Sequence, residues 1–92
     1  MTQPHRTYLI TGAAHRIGQG LVRGFAKEAA AIVIHYSSSE SAAQQLSKEI
    51  SSMGVKAFTI AADLGSPAQS AELIKRAQDM AGPIDVLINN AS

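Results

Sequence analysis

The sequence contains no cysteine and no tryptophan, and it holds only two tyrosines and two phenylalanines. Without cysteine there is neither a disulfide framework nor a thiolate zinc site, a composition suited to a reducing cytoplasm. An excess of charge of one sign is also missing. Eight Lys and Arg against seven Asp and Glu leave a formal net charge of +1, with no basic stripe that would fit nucleic acid. The apolar runs are short: none approaches the ~18 residues that span a bilayer, and Met1-Thr2-Gln3-Pro4-His5-Arg6 is too short and polar for a signal peptide. These absences leave a soluble cytoplasmic chain, bound to neither membrane nor nucleic acid, whose partners are small molecules. Its 92 residues suffice for one small domain, which buries about 60% of the surface its unfolded chain exposes.

What the sequence does have is alternation. Thr7 to Thr11 is a short β-branched and aromatic strand, followed by a glycine turn and by Ile17, Leu21, Phe25 and Ala29 at helical spacing, which predicts a helix from Ile17 to about Glu28. Gly20 and Gly24 on the adjoining face are expected to bring that helix close to the strands. Ala29-Ala30-Ala31 stands where a glycine commonly ends a helix, so this turn lacks the usual left-handed cap. Ala31 to Tyr36 is a continuous apolar run, as in a strand covered on both faces of a parallel sheet. Ser37-Ser38-Ser39-Glu40 can cap a second helix carrying Ala42, Ala43, Leu46, Ile50 and Met53, with Gly54 closing it. Val55 to Ala62 is the third strand. Pro67 opens a third helix carrying Leu73, Ile74, Ala77 and Met80, Gly82-Pro83 stops it, and Ile84 to Ile88 is the fourth strand. Met53 and Met80 read as core filler.

Strands alternating with helices give βαβαβαβ, an α/β Rossmann-type parallel sheet, and right-handed crossovers favour the order 3-2-1-4. The ends of strands 1 and 4 then flank the switch point where ligands bind in open α/β sheets, so Gly12 to Gly18 and Asn89 to Ser92 meet at one crevice. In this arrangement strand 4 is a bare edge and one face has a single helix. That predicts the front part of a larger single domain, or pairing with another copy.

The glycine stretch Thr11-Gly12-Ala13-Ala14-His15-Arg16-Ile17-Gly18, set between a strand and a helix, suits an anion, most simply the pyrophosphate of a dinucleotide. It is not a Walker loop, because Gly18 is followed by Gln19-Gly20 and not by Lys and Ser or Thr. It matches an open T-G-x-x-x-[G]-x-G spacing with Arg16 where a glycine usually sits. Asp63-Leu64 follows the third strand, and Asn89-Asn90-Ala91-Ser92 follows the fourth. With these features the sequence resembles the first third of the short-chain dehydrogenase/reductase family. Arg16 resembles the pteridine-reductase branch in particular. The resemblance implies that Asp63 stands near the adenine amine, that Asn89-Asn90-Ala91-Ser92 corresponds to the family's N-N-A-G motif with Ser for Gly, and that the parent enzyme is a homodimer or homotetramer.

The end of the second strand selects the cofactor. NAD sites place Asp or Glu there, about 20 residues beyond the glycine motif, to bind the ribose hydroxyls. Here the neighbourhood is His35-Tyr36-Ser37-Ser38-Ser39, and no carboxylate stands before Glu40. Three hydroxyls and the opening amides of the next helix can donate to a 2′-phosphate, with Arg16 neutralising it from the neighbouring loop. NADPH is therefore favoured over NADH. The expected cofactor site comprises Gly12, His15, Arg16, Ile17, Gly18, His35, Tyr36, Ser37, Ser38, Ser39, Asp63, Leu64, Asn90, Ala91 and Ser92. His15 and His35 at adjacent strand ends have no third ligand, so a metal is not expected; His15 is read as a loop residue near phosphate and His35 as a partly buried strand end.

The chemistry of reduction is missing from these residues. The family resemblance implies a Ser and a Tyr-x-x-x-Lys pair beyond the fourth strand, the tyrosine giving the proton. Tyr8 lies inside the first strand, and Tyr36 is followed by Ser39-Glu40 where the lysine would stand. No catalytic residue is assigned. The implied activity is hydride transfer to a carbonyl or to a pterin-like C=N bond, with a ketone or β-ketoacyl reductase as the alternative within the family. A non-catalytic nucleotide-binding or oligomerising fragment is the alternative outside it. An S-adenosylmethionine methyltransferase would want an acid at the end of strand 2. In the intact enzyme, Ser37→Asp is expected to shift the kcat/KM ratio toward NADH by about tenfold, through repulsion of the 2′-phosphate. Unchanged selectivity in steady-state kinetics with the two cofactors would place the end of strand 2 away from the ribose.

Overall fold

The computed structural model describes residues 6–91. Ser92, expected at the cofactor site, and the segment from Met1 to His5 lie outside the described residues. The order of elements is β1 (Arg6–Ile10), α1 (Arg16–Ala26), β2 (Ala29–Tyr36), α2 (Glu40–Ser51), β3 (Lys56–Ala61), α3 (Pro67–Ala81) and β4 (Val86–Ile88). All strand pairs are parallel and the order across the sheet is β3-β2-β1-β4, the Rossmann-type order expected from the alternation.

The period of two along each strand sorts the core into two layers. Tyr8 and Ile10 of β1 and Ile32 and Ile34 of β2 face α1 and α2, where they meet Val22, Ala26, Ala43, Leu46 and Ile50. Leu9, Val33 and Ile60 face the other way, onto Leu73 and Ala77 of α3. The central strands are buried over their whole apolar length, at about 1.5–3 kcal/mol for each large aliphatic side chain removed from water. Pairing begins at Arg6 with Ala29 but continues at Thr7 with Ala31, so Ala30 is an extra residue that lets β2 start two residues before the apolar run. The α1–β2 link does lack a left-handed cap: Lys27 ends the helix in a right-handed conformation, and Gly54 and Gly82 follow α2 and α3.

Several local expectations are corrected. The buried stripe of α1 is Gly18, Val22 and Ala26, with Leu21 and Phe25 half-buried beside it, whereas Ile17 is 74% exposed and Ala29 already belongs to β2. Backbone contact sets this rotation: a Cβ on Gly18 would stand 2.3 Å from the Gly12 carbonyl oxygen, so the face bearing Gly18 must lie against the loop. Gly20 and Gly24 face open space and bring nothing close. Met53 lies beyond the end of α2 and is exposed; Ile74 and Met80 on α3 are exposed too, and among the described residues no second helix covers the α3 side. β4 is only three residues long. Asp85 continues its pairing by side chain, accepting the Thr7 N–H at Oδ2 (2.8 Å) while its own N–H donates to the Thr7 carbonyl (2.9 Å).

Tyr8 is buried in β1 and stacks at 5.0 Å on Phe25, and its hydroxyl donates to Glu28 Oε1 at 2.8 Å. Burial, then the bond to Glu28, pushes its pKa above the ordinary tyrosine value. Among the described residues no helix is long and apolar enough to cross a membrane. Because Gly20 and Gly24 sit in an exposed helix with room for a methyl group, Gly20→Ala and Gly24→Ala should each stabilise the protein by about 0.5–1 kcal/mol. Urea unfolding of the intact protein measures this, and destabilisation by either would show that the face is covered.

Candidate cofactor-binding site

The C-terminal ends of the strands open onto a crevice of about 720 Å³, a volume within the usual range for small-molecule and cofactor sites. Its lining includes Gly12, His15, Arg16, Ile17 and Gly18 from the loop into α1, His35 and Ser37 from the end of β2, Asp63 and Leu64 after β3, and Asn90 and Ala91 after β4. The structure thus brings most of the expected residues to one place. Tyr36 instead packs half-buried against the α1–α2 side of the core, and Ser38 and Ser39 do not line the crevice. Gly65 is an addition, signalled by its place two residues after Asp63: its N–H donates to Asp63 Oδ1 at 2.9 Å, closing a side-chain turn.

The loop between β1 and α1 is held from three directions. Thr11 continues β1 by donating its N–H to Ile88 O (3.0 Å), and its Oγ1 accepts the amides of Asn90 (3.0 Å) and Ala91 (3.1 Å) while reaching Asn89 Oδ1 (3.2 Å). Asn90 Nδ2 donates to the Gly12 carbonyl at 3.2 Å. Gly12 has φ 61°, and a Cβ there would stand 3.1 Å from the Ala91 Cα. The left-handed backbone favours glycine here, and a side chain would also press on Ala91. Sequence reading had placed Thr11 in the motif but missed its hydroxyl as the knot between the two strand ends, because its partners are mostly backbone groups brought together only by the fold.

His35, expected as a partly buried strand end, is buried almost completely. It is 2% exposed, its Nδ1 accepts the Gly12 N–H at 3.0 Å and its Nε2 lies 2.9 Å from the Ala62 carbonyl oxygen. With both nitrogens engaged by the backbone, the ring has none left for a metal or for a direct polar contact with a ligand. Asp63 also has structural duties, its N–H donating to Gln69 Oε1 at 2.8 Å, while Ser66 caps α3 by accepting the Gln69 N–H.

The electrostatics of α1 are unusual. Its N-cap is His15, whose side chain makes no capping bond, and its first turn contains no acid. Among the described residues the amides of Arg16, Ile17 and Gly18 have no protein acceptor. Arg16, exposed at the first helical position, adds a positive charge where the helix dipole is already positive, and among the described residues no carboxylate pairs with it. Three free donors, a positive dipole end and a cation on one rim are complementary to a phosphate. Gly12 and Gly18 supply the close approach: at Gly18 a side chain would occupy space already filled by neighbouring backbone, and at Gly12 it would press on Ala91.

A family model described as short chain dehydrogenase matches residues 6–92. The chain belongs to the short-chain dehydrogenase family. It is 42% identical over 86 residues to the ketoacyl reductase HetN of Nostoc sp., covering 94% of this chain and 30% of that protein. Among solved structures it is similar to FolM alternative dihydrofolate reductase 1 from Brucella canis complexed with NADP, with a TM-score of 0.86 and 34% identity, over 95% of this chain and 35% of that one. A blue fluorescent protein from a metagenomic library in complex with NADPH superposes with a TM-score of 0.87 at 35% identity, over 95% of this chain and 36% of that one. The chain therefore spans about a third of the length of these short-chain dehydrogenase relatives.

The tightest contact in this family member's crevice yields a test. In Gly18→Ala the added methyl would meet the Gly12 carbonyl at 2.3 Å, so α1 must retreat from the loop, at a cost of about 1–3 kcal/mol in stability. Calorimetry of the intact protein should show the lowered Tm, and cofactor titration a loss of affinity; a variant unchanged in both would mean that the helix does not bear on the loop.

Proposed function

We infer that this chain is the cofactor-binding front part of a single dinucleotide-binding domain in an NADPH-dependent oxidoreductase. The observation that carries this reading is the start of α1: an uncapped helix end with free amides at Arg16, Ile17 and Gly18 and a cation on its rim, facing a crevice with no carboxylate at the end of β2. The residues fit the group. Gly12 and Gly18 leave backbone bare for a pyrophosphate, Arg16 and Ser37 line the same crevice and suit a 2′-phosphate, and Asp63 and Leu64 form the wall on the adenine side. Exposed Ile17 and the Asn90-Ala91 turn lie at the switch point, where the nicotinamide half would be directed. The cofactor, when bound, supplies the hydride. This chain's residues hold and orient it and fix which ribose it accepts.

The substrate proposed is a carbonyl or a pterin-like C=N bond. Arg16 and His35-Tyr36 motivate the pterin reading, and the likeness to a FolM dihydrofolate reductase with NADP supports it. The likeness to HetN and to the 3-oxoacyl-[acyl-carrier-protein] reductase FabG of Staphylococcus epidermidis supports a β-ketoacyl substrate as the second reading. The proton donor is assigned to residues outside this sequence. Tyr8 is buried against Glu28 away from the crevice, and its raised pKa makes it a poorer acid than an ordinary tyrosine. A homo-oligomeric cytoplasmic enzyme is the accompanying proposal.

In the intact enzyme, Arg16→Ala should raise the KM for NADPH by about tenfold or more while leaving that for NADH nearly unchanged, since the charge-assisted contact is to the 2′-phosphate alone. Initial-rate kinetics with both cofactors measure this, and an equal effect on the two would remove Arg16 from the phosphate pocket.

A further inference from the structure

Two consecutive amides of the glycine loop are gripped by one residue. The Gly12 N–H donates to His35 Nδ1 at 3.0 Å, and the Ala13 N–H donates to the His35 carbonyl oxygen at 2.9 Å. On the far side of the ring, Nε2 stands 2.9 Å from the Ala62 carbonyl oxygen. A backbone amide only donates and a backbone carbonyl only accepts, so these partners require the tautomer with its hydrogen on Nε2 and a lone pair on Nδ1. The ring is 2% exposed and has no bonding capacity left over.

This arrangement divides the amides of the loop into two sets. Those of Gly12 and Ala13 are committed to His35 and cannot turn toward an anion, whereas those of Arg16, Ile17 and Gly18 have no acceptor among the described residues. Gly12, at φ 61°, has little intrinsic preference for one peptide orientation. Its amide is set by His35 and its carbonyl by Asn90. Ala62, which anchors the ring, directly precedes Asp63. One side chain therefore fixes the distance between the glycine loop and the opposite wall of the crevice.

We propose that His35 is the positioning residue of the phosphate loop: braced on Ala62, it draws the Gly12 amide inward and so sets where the first turn of α1 presents its free amides to the pyrophosphate. This rests on the reading of the crevice as a dinucleotide site. The pyrophosphate is common to NADPH and NADH, so loss of the brace weakens both equally. A histidine serving only to fill the core would change stability and leave the affinity of the folded protein alone.

Three variants of the intact enzyme separate these roles. His35→Asn keeps an acceptor at the place of Nδ1 but does not reach Ala62. His35→Gln reaches Ala62 and offers Gly12 nothing in place of Nδ1, and His35→Leu removes both. Fluorescence titration of folded protein should show the dissociation constants for NADPH and NADH rising together by about tenfold or more in the Gln and Leu variants, because a buried amide is left unpaired, and rising less in Asn, which keeps the Gly12 acceptor and loses only the support of Ala62. Tight binding by Gln with loss in Asn, or a loss confined to NADPH, would overturn the proposal. In the unsubstituted protein, nitrogen-15 NMR is expected to place the ring hydrogen on Nε2 and to detect coupling between the Gly12 amide nitrogen and His35 Nδ1; a hydrogen on Nδ1 overturns the proposal even if every variant fails to fold. If the unsubstituted protein binds neither cofactor, the dinucleotide reading falls and takes the brace with it. Normal binding without the His35 pattern sinks the brace alone.

Discussion

Gly18 rests against the carbonyl of Gly12 with no room for a single additional carbon. From that backbone contact follow the rotation of α1 about its axis, the burial of Val22 and Ala26 beneath it, and the outward position of Ile17. Close packing makes such a contact decisive: a helix can slide or roll over aliphatic side chains at modest cost, but not through a carbonyl oxygen. The same contact fixes where the first turn of the helix opens, and so where its unpaired amides lie.

Around this contact the protein leaves its electrostatics unbalanced on one side only. α3, away from the glycine loop, is capped by Ser66, whereas α1 and α2 receive no side-chain cap. α2 has Glu40 in its first turn to offset its dipole, but α1 has none and carries Arg16 instead. Such local departures from stabilising practice concentrate at functional sites, where a ligand restores the balance. Thr11 and His35 keep the opening rigid by spending their polar atoms on neighbouring backbone. The unbalanced end is therefore presented in a fixed frame.

The periodicities in the sequence made the sheet order, the parallel pairing and the buried centre of β2 legible, because each reports an average over many residues. The facing of α1 was not legible. Two stripes spaced by four, one through Ile17, Leu21 and Phe25 and one through Gly18, Val22 and Ala26, fit the same helix, and side-chain size favours the first while the Gly18 contact selects the second. Ile74 and Met80 have the spacing of core residues but, among the described residues, no element opposite them. Most of the crevice could be listed from the motif residues, since they sit at strand ends by topology alone. Tyr36, Ser38 and Ser39 could not be sorted from Ser37 without knowing how the chain turns into α2, and the bonds of His35 involve backbone groups far apart in sequence.

The two faces of the sheet are unequally covered, with α1 and α2 on one and α3 alone on the other. Free energies of local opening follow buried contact, so within the described residues the α3 layer has less buried contact to hold it than the α1–α2 layer. Asp63 is moored to that layer through Gln69, while the glycine loop is moored to β2 and β4. Loosening of the α3 layer would therefore reach Asp63 through Gln69 before it reached the glycine loop, whose bonds run to β2 and β4.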